Sequence, residues 1–163
     1  MGRLENLAKL AARFRWLIEE ADWSKLTIEF ENFPTGCADA CILLAEYLID
    51  SGYDTPTYVS GELSVITMSD NIIQLFGDDV ETTPLRSYAW LELDGVVVDI
   101  TADGFDPNAP RVIVAENSVW DNQFSRFDEH PVAIDLYDDH TVSRLRPAYN
   151  EIIGGEYTKP EAL

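Results

Sequence analysis

The sequence predicts an α+β fold in which N-terminal helices pack on an antiparallel β-sheet. Three observations predict it. The first fifty residues carry apolar side chains at helical spacing, and several later stretches are rich in Val, Ile, Thr and Tyr. Between two of those stretches stands Asp94-Gly95, a two-residue hairpin signal. Helices first and a meandering sheet afterwards is the order of an α+β domain. With 163 residues, 46% hydrophobic and 11% aromatic, the chain has the length and apolar mass for one core. A single domain is expected over residues 1–153, followed by a frayed tail over 154–163.

Each element follows from its local pattern. From Gly2 to Ala21, Leu4, Leu7, Ala8, Ala11, Phe14, Leu17 and Ile18 recur at three- and four-residue intervals, which predicts an amphipathic helix. The breaker cluster Asn32-Phe33-Pro34-Thr35-Gly36 precedes a second helix from Cys37 to Ser51, with Ala40, Cys41, Leu44, Ala45 and Leu48 on one face and Gly52 placed to end it. Thr57–Ile66 reads as a strand, and Asp70–Phe76 is ambiguous between short helix and loop. Tyr88–Leu93 and Val96–Thr101 are strands that pair antiparallel across the Asp94-Gly95 turn. Arg111–Ala115 and Pro131–Tyr137 are two further strand candidates, with a short helix expected at Ser118–Phe127. After His140 the pattern is irregular.

Charge narrows function. Eleven Lys and Arg against 30 Asp and Glu give a formal net charge of -19. Nucleic-acid affinity comes from cations that neutralise phosphates, so a nucleic-acid partner is not expected. The same field attracts a basic protein partner, or holds water and cations at the surface in a salty cytoplasm. No window approaches the roughly 20 apolar residues of a membrane span, and Arg3, Glu5 and Lys9 stand where a signal peptide would be apolar. A cytoplasmic protein without a membrane partner is expected.

Two Cys and two His limit the chemistry. Cys37 and Cys41 are four apart, His130 and His140 ten apart, and neither spacing is that of a zinc site; no metal and no cofactor is expected. Cys41 falls in a Leu/Ala stripe and reads as a small core residue. Cys37 follows a Pro-x-Gly turn and opens a helix, where free N–H groups and the positive helix end favour a thiolate. Asp99 interrupts the apolar run Val-Val-Val-Asp-Ile, so it either faces solvent by alternation or is buried with a partner. Tyr88 and Trp90 share one strand face as core or pocket-wall aromatics, and both histidines read as exposed. Across the hairpin, Tyr88 and Asp99 fall within diagonal reach if their side chains share a face.

Taken in order, Phe33-Pro34-Thr35-Gly36-Cys37 before a helix, Tyr88-Ala89-Trp90 on a strand and Asp99-Ile100-Thr101 on the next resemble the transglutaminase-like and papain-like cysteine domains of bacteria. With Ser118-Val119-Trp120 included, the resemblance spans about residues 30–127. It implies a papain-like fold and a Cys-His-Asp triad. In that triad Cys37 attacks an acyl carbon, a histidine takes its proton and Asp99 orients the histidine. Tyr88 occupies the family's histidine position, and a phenol with a pKa near ~10 is a poor base at neutral pH. Either His130 or His140 reaches the site, or Tyr88 is tuned by its surroundings, or the shape has outlived the chemistry. The resemblance therefore implies a cysteine-dependent acyl-transfer domain acting on a peptide or acyl substrate through an amide or thioester bond. Its oxyanion donors would be the N–H groups at the start of the Cys37 helix. The alternative is a catalytically inactive acidic binding protein of the same fold, such as an immunity or inhibitor protein that captures a basic toxin.

Overall fold

Apolar residues at helical spacing bury one side of α1 (Arg3–Glu20), with Leu7, Ala11, Phe14, Leu17 and Ile18 in the core. The computed structural model describes residues 2–22, 37–63, 86–116, 118 and 120–157; the expected helix or loop at Asp70–Phe76 lies outside them. Helix α2 (Cys37–Asp50) is almost wholly buried from Ala40 to Leu48. It ends in a Schellman motif. Gly52, at φ +102°, donates its N–H to Ile49 O, and Tyr53 donates to Leu48 O.

Five strands form one antiparallel sheet in the spatial order β4-β3-β2-β1-β5. They are β1 (Thr57–Leu63), β2 (Arg86–Leu93), β3 (Val96–Asp99), β4 (Ile113–Ala115) and β5 (Ser125–Pro131). The β2–β3 hairpin turns at Asp94 and Gly95, both at positive φ (50° and 83°), which is why Asp-Gly serves here. The fold class read from the sequence is the one observed.

The sheet is buried on both faces. On one, Ala89, Leu91, Leu93, Val96, Val98 and Ile100 meet the helices in the larger core. On the other, Val59, Tyr88, Trp90 and Val97 form a second core with Ala102, Ala109, Ile113 and Phe124. The one-turn helix α3 (Ala102–Phe105) belongs to that second layer. So does the connection from β4 to β5. Its ends lie on opposite edges of the sheet, four strand spacings or about 19 Å apart. The intervening residues cross the second face, where Trp120 and Phe124 pack against Tyr88.

Three expectations are corrected. Ser118–Phe127 is not a short helix: a 3-10 turn covers only Asp121–Gln123, then Phe124 turns extended and β5 pairs with β1. Edge pairing outweighs local helical preference there. Pro131–Tyr137 is not a strand. Pro131 ends β5, since proline has no N–H for the ladder, and a 3-10 turn follows at Ile134–Leu136, its first N–H bonded to Glu46 Oε1 (3.0 Å).

The region after His140 is not irregular but helix α4 (Asp139–Tyr157). Pro147 lies inside it, and the helix runs past the expected tail boundary at 154. Leu145, Ala148, Tyr149 and Ile152 are fully buried at helical spacing, and packing of that stripe outweighs the proline. Helix α4 runs parallel to α2: Arg144 grips Asp39 (2.8 Å) and Tyr149 Oη donates to Asp50 Oδ2 (2.6 Å).

One buried charge organises the helix–sheet junction. Arg15 on α1, 5% exposed, donates to Ile100 O (2.8 Å) and makes a two-pronged pair with Asp103 (2.6 and 3.0 Å). The second layer is tight as well. A Cβ at Gly61 would stand 2.8 Å from Phe124 Cβ and 3.2 Å from Ser125 O and Trp90 Cη2. Gly61→Ala therefore destabilises the fold by about 1–3 kcal/mol through overpacking, read as a lower midpoint in urea unfolding.

Candidate functional site

Alternation along β2 and β3 decides which expected site residues meet. Leu91 lies opposite Val98, so Trp90 falls opposite Asp99 and Tyr88 opposite Thr101, all on the second face. Tyr88 Oη donates to Asp99 Oδ1 at 2.6 Å and lies 2.9 Å from Thr101 Oγ1. Thr101 N donates to the same Asp99 oxygen at 3.0 Å. Asp99 is thus buried with partners, at 2% exposure. The pairing of Tyr88 with Asp99 was legible from the hairpin register.

A fourth member comes from the crossing connection. Asp121, 1% exposed, lies within hydrogen-bonding reach of the Asp99 carboxyl. Its Oδ1 accepts from Ser118 Oγ, and its own N–H donates back to that hydroxyl at 3.2 Å. Sequence reasoning missed Asp121 and Ser118 as site residues. Their Ser-x-x-Asp spacing is a turn-capping signal, but only the crossing brings it to Asp99.

The aromatic surround excludes water. Tyr88 stacks on Phe124 and meets Phe105 and Trp120 edge-on, with ring centroids 5.0–5.5 Å apart. Trp90 Nε1 donates to Glu92 Oε2 (3.1 Å), and Trp120 Nε1 to Asp106 Oδ2 (3.3 Å).

Electrostatics follow from this burial. Desolvation, and then the neighbouring Asp99 charge, push the Tyr88 phenol far above its ordinary range, so it stays protonated. Burial likewise raises Asp99, and the adjacent Asp121 raises it further. Asp121 is raised by burial, against the hydrogen bonds from Asp99 and Ser118. The group is a buried hydrogen-bond network, and Tyr88 acts in it as a donor.

Cys37 is the first residue of α2, whose body packs on the other face of the sheet: Cys41, buried, lies 3.6 Å from Ala89 O. The histidines sit elsewhere. His130 on β5 is separated from β3 by two strands, about 14 Å. It stacks on Tyr58 (5.0 Å) and bonds Asp128 Oδ2 (3.1 Å) and Tyr137 Oη (3.4 Å). His140 is exposed in the first turn of α4. The structure joins Tyr88 to Asp99 and brings neither histidine to them.

Among the described residues, no group of three or more His, Cys, Asp or Glu is arranged to hold a metal, and no helix is long and apolar enough to cross a membrane. No family model matches the chain, and no curated protein or solved structure matches it.

Replacing Tyr88 by Phe leaves Asp99 Oδ1 with Thr101 N as its remaining described donor. Tyr88→Phe is expected to cost about 1–3 kcal/mol of unfolding free energy, measured by denaturant titration, with the far-UV spectrum unchanged.

Proposed function

We propose that the chain is a catalytically inactive, acidic binding protein of the cytoplasm, of transglutaminase-like or papain-like ancestry, that captures a basic protein partner. The hydrogen bond from Tyr88 Oη to Asp99 Oδ1 carries this reading. At the position where a cysteine enzyme keeps its base stands a phenol that holds its proton, and the orienting carboxylate is occupied by that phenol and by Asp121. The charge of -19 supports the partner's chemistry, since an acidic surface speeds the encounter with a basic one. Exposed Asp128, Glu129, Asp135, Asp138 and Asp139 follow one another from β5 into α4.

One observation favours a second reading, in which Cys37 acts as the nucleophile of acyl transfer. Because Arg144 grips Asp39 and the helices are parallel, the start of α4 lies at the same end as the start of α2. His140 stands one turn before Arg144 and Cys37 two residues before Asp39, so this end of the helix pair is where a base for Cys37 would have to come from.

Iodoacetamide labelling of Cys37 across pH separates the two. The binding reading expects an ordinary thiol, with an apparent pKa near ~8.5 that His140→Ala leaves unmoved. A thiolate formed at neutral pH and lost in His140→Ala would overturn it in favour of the enzyme. In pull-downs from lysate, a discrete basic protein retained at low salt and released by high salt is the expected outcome.

A further inference from the structure

The buried carboxyl pair has a donor shortage that one atom resolves. On each acid Oδ1 is satisfied: Tyr88 Oη and Thr101 N serve Asp99, and Ser118 Oγ serves Asp121. On each acid Oδ2 is buried and has no donor. The two carboxyls are within hydrogen-bonding reach of each other. Two acceptors in contact in a dry site need one proton between them, as in other buried carboxylate pairs.

Asp99 belongs to the sheet, whereas Asp121 belongs to the connection that crosses it. We infer that one proton, shared between Asp99 Oδ2 and Asp121 Oδ2, latches the connection around Asp121 to the second face of the sheet, and that its loss to solvent frees that connection and uncovers Trp90, Trp120 and Phe124. The latch needs no partner protein and does not depend on the function proposed above.

The charged and titratable described groups around the pair do not supply an alternative latch. From β2, Tyr88 is held neutral and Glu92 adds negative charge toward Asp121; Arg126 of β5 sits on Glu92 at 2.5 Å. From α2, the buried Cys41 thiol lies on the other face of the sheet, against Ala89 O. Asp106 lies behind Trp120. Loss of the shared proton takes the pair from one negative charge to two, with no water to screen them.

The sign of the pH dependence follows. The closed state holds a proton that the opened state releases above the ordinary Asp range near ~4. Closure is therefore complete below that range, and it weakens as pH rises until the closed pair itself ionises. Across that window the opening constant rises up to about tenfold per pH unit, because one proton is lost on opening.

Hydrogen exchange of the Asn122 and Phe124 amides, which bond Ser118 O and Asp121 O, reads this opening directly. Their protection factors, corrected for intrinsic exchange, are expected to fall between pH 5 and 8, while those of α2 do not. Asp121→Asn supplies a permanent N–H donor and keeps one negative charge on the pair, so its protection is expected to be independent of pH. Asp99→Asn makes the same substitution from the sheet side, and serves if Asp121→Asn does not fold. Protection in the wild type that is flat over this range, or that falls equally in the wild type and in the folded variant, would overturn the latch.

Discussion

The β4–β5 connection has to pass from one edge of the sheet to the other, and it does so across a buried face. A backbone taken over an apolar surface must carry its own polar partners, because no water is there to satisfy them. The Ser118–Asp121 cap meets part of that demand. The aromatic layer depends on the same crossing. Phe124 reaches Tyr88 and Trp90 because the connection is held close, and Gly61 leaves the room for it.

Features set by short-range pattern were legible in the chain. Helical spacing marked α1 and α2, and the Asp-Gly turn fixed a register from which the Tyr88–Asp99 contact could be anticipated. Features that need two distant segments were not. Asp121 meets Asp99 only after the crossing, and Arg15, which looks like a solvent-facing residue of an amphipathic helix, becomes buried because Ile100 O and Asp103 await it. Helix α4 was obscured by Gly154-Gly155 and Pro160, although the spacing of Leu145, Ala148, Tyr149 and Ile152 carried its signal. The value of that stripe comes only from burial against α1 and α2, which local sequence does not display.

At Tyr88 the second face of the sheet carries a phenol, whose use differs from that of an imidazole. Imidazole exchanges protons near neutrality, whereas a buried phenol keeps its proton and donates a fixed hydrogen bond. Tyr88 is thus suited to stabilising the sheet interior rather than to moving a proton.

Strand β5 forms one edge of the sheet, and its pairing with β1 slips between Ser60 and Gly61, leaving Phe127 without an opposite number. A bulge there, charged neighbours at Asp128 and Glu129, and a proline at the strand's end together spoil the edge as a template for another strand. Crowded copies of the molecule accordingly have no straight ladder on β5 along which to zip together, so the route from folded protein to extended aggregate is blocked at that margin.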